Sequence, residues 1–247
     1  MTSQPDGTAR DLCAAADEAL TQAAFCTAEF GAAEQLFTDA RAVAARDGDR
    51  EGEALAVSGL GMTHHYRNIT RLVAGHTLDE AEIAAQEDLM RRALALWQDT
   101  REPAGTGRAL FGMSLVFQVL RRDWDAALPY LRQAADLAEA MEASGDLYGR
   151  SEIHRHLGFY YLVEDVRPVE AVRQFEHSLT LRERLGDPRR VPSALVALGE
   201  AEMAAGNPGR AVELLRRAVV QAREADLLPW RIQDAEQSLR QAEAAAS

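Results

Sequence analysis

Histidine is the residue whose placement in this 247-residue chain raises the question of chemistry, because four of its six copies stand in two close pairs, His64 with His65 and His154 with His156. Neighbouring residues on an α-helix point about 100° apart and residues two apart about 200°, so neither pair chelates a metal ion from one face. The spacings that would do so, His-x3-His, Glu-x2-His and His-Glu-x2-His, do not occur, and no metal is expected. His65 beside Tyr66 sets an imidazole next to a phenol, a pair suited to proton transfer if a substrate sits within reach. Cys13 and Cys26 have no histidine beside them in sequence and read as buried or idle thiols rather than nucleophiles. Both fall in the first predicted helix, where about 19 Å of rise separates them, far more than the ~7 Å that a disulfide bridges. No phosphate-binding glycine loop and no dinucleotide fingerprint occurs, so no cofactor is expected and no catalytic residue is assigned.

Composition removes further classes. The formal net charge is −12, and all 27 basic residues are arginine. That balance lacks the basic footprint of general phosphate-backbone binding, so no nucleic-acid partner is expected. The doublets Arg91-Arg92, Arg121-Arg122, Arg189-Arg190 and Arg216-Arg217 read as solvated faces or salt-bridged partners. The N-terminus, MTSQPDGTAR, lacks a charged start followed by an apolar core, and no stretch approaches the ~18 uninterrupted apolar residues of a membrane span. A cytoplasmic protein with no membrane partner is expected.

The elements that must position any site are helices. Hydrophobic residues make up 47% of the chain and aromatics only 6%, with alanine abundant, a composition that favours close-packed helices over strands. A pattern also recurs about every forty residues. Leu198-Gly199 is followed by Ala211-x3-Leu215-x2-Ala218, and one period earlier Leu157-Gly158 is followed by Ala171-x3-Phe175-x2-Ser178. Phe111-Gly112 precedes Ala127-x3-Leu131-x2-Ala134, Leu60-Gly61 precedes Gln86-x3-Met90-x2-Ala93, and Ala33-x3-Phe37-x2-Ala40 stands near the start. Each match spans a helix, a turn and a second helix: residues 193–205 and 211–224 at one end, 152–163 and 168–185 before them. Asn207 suits an N-cap, Pro208 a first helical position, and Gly186-Asp187-Pro188 a helix stop. Small residues sit where helices touch, one larger residue fills the gap, and stacked neighbours cover the apolar face that remains. A last helix, residues 230–245, reads as a cap whose outer face meets water.

This constellation resembles the tetratricopeptide repeat, and the resemblance covers nearly the whole chain. It implies an all-α fold, a right-handed α-solenoid of antiparallel helix pairs with a C-terminal capping helix, of the kind found in stand-alone bacterial arrays of about five repeats. The approximate repeats are 9–49, 50–100, 104–145, 150–186 and 190–226, read as one array. The anchors Ala33, Gln86, Ala127, Ala171 and Ala211 lie further apart than the ~34 residues of the standard repeat, so helices or loops are lengthened. The second repeat departs most: Gln86 replaces alanine, His64 stands where the pattern has tyrosine, and helix continues through about Val73. Thr77-Leu78-Asp79-Glu80 has the form of a capping box opening the next helix, and a protruding hairpin is expected there. His64 and His154 occupy packing positions and are expected as core histidines with one hydrogen bond each.

The resemblance further implies that the first helices line a concave groove. Inward-facing positions are Ser58, Met62, His65 and Tyr66 in the second repeat and Ala109, Met113, Val116 and Phe117 in the third. In the fourth they are Arg155, Phe159, Leu162 and Val163, and in the fifth Val196, Glu200, Met203 and Ala204. An apolar concavity with His65, Tyr66, Arg155 and Glu200 as polar handles suits a peptide or small molecule, and methionine lends it adaptability. The reading is a non-enzymatic module that holds a peptide or protein segment, with Arg155 pairing an acidic group. Its rival is an enclosed groove that binds or converts a small molecule. In the bland alternative these residues pack on each other or on a terminal helix. A homo-oligomer through the end helix or the second hairpin is compatible with the sequence.

Overall fold

A computed structural model describes residues 7–247, so most of the N-terminal MTSQPDGTAR stretch lies outside the described residues. The described residues form twelve α-helices, three π-helical turns and no strand. The chain divides into two compact units. The first, ending at Leu137, holds α1 (Ala9–Gln22), α2 (Gly31–Asp47), α3 (Arg50–Val73), α4 (Glu80–Thr100), α5 (Pro103–Leu115) and α6 (Trp124–Asp136). The second, Ala138–Ser247, holds α7 (Ala138–Ala143), α8 (Leu147–Phe159), α9 (Pro168–Leu185), α10 (Val191–Ala204), α11 (Pro208–Glu224) and α12 (Pro229–Ala246). Within each unit, consecutive helices pack as hairpins: α1 on α2, α3 on α4 and α5 on α6 in the first, α8 on α9 and α10 on α11 in the second.

Packing explains why the recurring pattern needs a glycine. A Cβ built on Gly158 would stand 2.7 Å from the Phe175 ring, and one on Gly199 would stand 2.6 Å from Leu215. Phe175 and Leu215 are the large residues of the Ala-x3-large-x2-Ala segments and are fully buried. The first helix therefore gives up a side chain so that the second can seat its largest apolar group, and the flanking alanines let the backbones approach. Phe175, Leu195, Leu198, Leu215 and Ala235 belong to one continuous core in the second unit.

Several local expectations are corrected. Asn207 stands before α11, but its side chain makes no capping bond. It donates to Glu202 Oε2 at 2.8 Å instead. The capping box of α4 is Asp79 with Glu82, two residues beyond the expected one: Glu82 N–H donates to Asp79 Oδ1 at 2.9 Å and Asp79 N–H to Glu82 Oε2 at 3.0 Å. The second helix of the third repeat is interrupted at Leu137 rather than running unbroken to Ser144. α3 does continue to Val73, giving 24 residues, and with the 21-residue α4 it forms the longest hairpin among the described residues.

Three first helices end in a π turn: Ala23–Thr27 after α1, Val116–Arg121 after α5 and Tyr160–Glu164 after α8. The cause is countable in the sequence. Twelve residues separate Gly199 from Ala211, where α10 stays regular, but thirteen separate Gly158 from Ala171 and fifteen Gly112 from Ala127. The one extra residue after Gly158 is what a single i→i+5 turn absorbs, and the three extra after Gly112 lengthen the end of that first helix further. Each such turn leads to a left-handed residue five positions before the alanine anchor: Ala28, Arg122 and Val166. Gly206 holds the same place before Ala211.

Candidate functional site

In the first unit, the departures of the second repeat converge on a buried polar seam between α3 and α4. Gln86, where the pattern has alanine, is completely buried. Asn68 Nδ2–H donates to Gln86 Oε1 at 3.0 Å, which leaves the Gln86 amide N–H to donate to His65 Nδ1 at 3.1 Å. His65 therefore accepts at Nδ1 and carries its proton on Nε2. Its ring is 3% exposed, and burial pushes its pKa down to about 4, so it is neutral near pH 7. Buried, hydrogen-bonded and capped edge-on by Tyr66 at 5.7 Å between ring centres, His65 is a core residue rather than a groove handle. His64, expected in the core, is the half-exposed one. Burial and Arg67 hold its pKa low, and its Nε2 lies 3.8 Å from Glu34. The two histidines thus occupy places opposite to those the repeat pattern implies.

The other sequence-predicted residues of this unit are largely core as well. Ser58 is buried, donates to Ala54 O at 2.8 Å and accepts from the Trp97 indole at 2.9 Å. Ala109 packs with Trp97. Met113 and Val116 form a buried cluster with Met90, against which Met62 and Phe117 are half-buried. Phe117 stacks on Tyr130, its ring centre 5.7 Å away and the planes 4° apart.

In the second unit the predicted handles stay accessible and converge. Arg155 on α8 is half-buried, with its guanidinium 4.7 Å above the centre of the Phe159 ring. Glu200 on α10 is half-buried, accepts from Ser238 of α12 at 2.8 Å, and feels both Arg155 and Asp234 of α12. Burial raises its pKa; the Ser238 hydrogen bond opposes that rise, Asp234 adds to it and Arg155 lowers it. Asp234 is exposed, yet the surrounding protein also pushes its carboxyl upward, against the pull of Arg155 and Arg231. Phe159, Leu162 and Met203 lie half-buried against the core. Val163 and Ala204 are exposed, and Val196 is buried. α12, expected only as a cap, contributes Asp234 and Ser238 to this face. A stripe of acidic and small residues in the last helix gives no sequence signal of that role.

Other polar groups have structural partners. Arg182 is 1% exposed, pairs with Glu152, and donates from Nη1 to Arg190 O and Ser193 Oγ, each at 2.7 Å. It ties α8, α9 and the start of α10 together. His154 bonds Gln174 Oε1 at 2.8 Å. The Cys13 thiol is buried and pushed up to about 12, first by burial, which leaves it inert near neutral pH. Among the described residues no group of three or more His, Cys, Asp or Glu side chains is placed to hold a metal ion, and no helix is long and apolar enough to cross a membrane.

These hairpins, with glycine facing a large apolar residue between alanines, define an all-α fold of the tetratricopeptide-repeat type. The comparison with solved structures agrees. A thermophilic TPR protein of Thermus thermophilus, TTC0263, is 17% identical and superposes with a TM-score of 0.56 over 96% of this chain and 100% of its own. BtubC (BKLC) from P. vanneervenii, also 17% identical, overlaps 89% of this chain and 92% of its own at a TM-score of 0.49. No protein-family model matches the chain, and no curated protein matches its sequence. At such identity the likeness establishes the fold.

Proposed function

We propose that the chain is a non-enzymatic binding module, one repeat array whose first helices present a face to a peptide or protein segment. The observation that carries the reading is the second unit's face, where Arg155, Phe159, Glu200 and Met203 are all half-buried on α8 and α10. Half-buried side chains of mixed character, on rigid helices rather than loops, are what an adaptable but oriented site requires. Arg155 offers a planar donor fork to an acidic group of the segment, and Phe159 and Met203 offer apolar contact. The burial of His65 favours this reading over a converting enzyme, because a neutral imidazole sealed by Gln86 and Tyr66 is out of a substrate's reach.

The test is to select peptides from a displayed random library on the purified chain and measure their affinity by calorimetry. The triple variant Arg155→Ala, Phe159→Ala, Met203→Ala is expected to lose at least tenfold in affinity with its helical circular dichroism unchanged. Equal binding by a folded triple variant contradicts the proposal.

A further inference from the structure

The first unit holds a pocket of about 360 Å³ between the lengthened ends of α3 and α4. α3 supplies His64, Arg67, Asn68 and Arg71, spaced so that they share one helix face; α4 and its cap supply Asp79 and Glu82. We infer that this pocket binds a small zwitterion, its carboxylate on the Arg67 and Arg71 side and its ammonium toward Asp79.

Two arginines in the pocket wall keep donors unused. Arg71 pairs with Glu82 through Nη1 alone, so its Nε–Nη2 edge has no protein acceptor among the described residues. Arg67 gives Nη2 and, at 3.5 Å, Nη1 to Glu34, so its Nε is likewise uncommitted. A guanidinium offers two bidentate edges, and a carboxylate fits the one that Glu82 leaves open. Asn68 lies at the base, anchored by Gln86 in the buried seam, which fixes the wall that α3 presents.

Charge then selects the ligand. Arg67 and Arg71 carry two positive charges, Asp79 and Glu82 two negative, Glu34 behind Arg67 a third, and His64 is held neutral near pH 7 by its burial. A plain anion therefore meets no net attraction. Cations stand on α3 and carboxylates on α4, and Arg71 with Glu82 already joins the two walls; what a ligand can still engage is the open edge of Arg71 and the Asp79 carboxylate, which has no cationic partner among the described residues. A molecule with opposite charges at its two ends satisfies both walls at once.

The experiment is calorimetry on the full chain with γ-aminobutyrate, butyrate and inorganic phosphate as probes. Saturable binding of γ-aminobutyrate is expected, with butyrate and phosphate at least tenfold weaker. Arg71→Gln and Asp79→Asn should each weaken γ-aminobutyrate at least fivefold; asparagine keeps the helix cap, so the second variant isolates the charge. The Arg155, Phe159 and Met203 triple variant should bind this probe as the unsubstituted chain does, which separates this site from the peptide face. Absence of γ-aminobutyrate binding, equal binding of butyrate or phosphate, or indifference to both substitutions overturns the inference.

Discussion

Ser178 sits where the repeat elsewhere keeps alanine, fully buried, and its hydroxyl has no hydrogen-bond partner among the described residues. A buried hydroxyl without a partner costs roughly 1–3 kcal/mol of lost hydration. Ser178→Ala should therefore stabilise the protein by about 1 kcal/mol, read as a higher urea midpoint with an unchanged slope. His65 makes the opposite kind of prediction. Its pKa falls from 6.5 to about 4 on folding, so between those values the unfolded chain binds the extra proton and the folded one does not. Stability is whole above pH 6.5 and drains away as pH falls toward 4, by at most about 3 kcal/mol at ~1.4 kcal/mol per unit. Denaturant titrations of wild type and His65→Gln across that range should show a steeper decline in the wild type; parallel curves would refute the assignment. That residues 64–86 form a special place was legible in Gln86 and His64. Which histidine lies inside was not, because the repeat pattern has alanine at position 86, whereas the Gln86 amide there reaches across to His65. Arg182 was illegible for a related reason: a helical arginine reads as solvent-facing until Glu152 and the Arg190 carbonyl are seen to enclose it.

At the scale of elements, the hairpins follow from Leu-Gly facing Ala-x3-large-x2-Ala, and the sequence alone shows it. The π turns were legible only in retrospect, in the extra residues between Gly158 and Ala171 and between Gly112 and Ala127. Their cost is clearest at Val166, a β-branched residue at φ 46° with 71% of its surface exposed, where Gly206 holds the equivalent place in the next repeat. Such strain is worth about 1–3 kcal/mol, less the ~1 kcal/mol of chain entropy that glycine forfeits. Val166→Gly should raise thermal stability by about 1 kcal/mol, whereas Gly206→Val should lower it; a scanning calorimeter reads both. Among the described residues, seven of the eight arginines in the four doublets pair with a carboxylate, all but Arg122. Most of these are exposed pairs worth little each. That is why the doublets add no basic patch to an acidic chain.

At the scale of the molecule, the fold is that of the tetratricopeptide repeat, and the proposed binding role rests on what the first helices leave accessible. In the first unit those helices bury Ser58, His65, Ala109, Met113 and Val116 and leave Met62, Tyr66 and Phe117 half-buried; in the second they bury Val196 and leave Arg155, Phe159, Glu200 and Met203 half open. The sequence pattern placed all of them on one kind of face and could not separate them, because burial depends on the neighbours that each hairpin meets. Hydrogen–deuterium exchange with a library-selected peptide tests the binding-module account most directly. Slower exchange on peptide addition is expected across α8 and α10, around Arg155 to Leu162 and Glu200 to Met203. Protection confined to the second helices α9 and α11, with α8 and α10 unchanged, would contradict it.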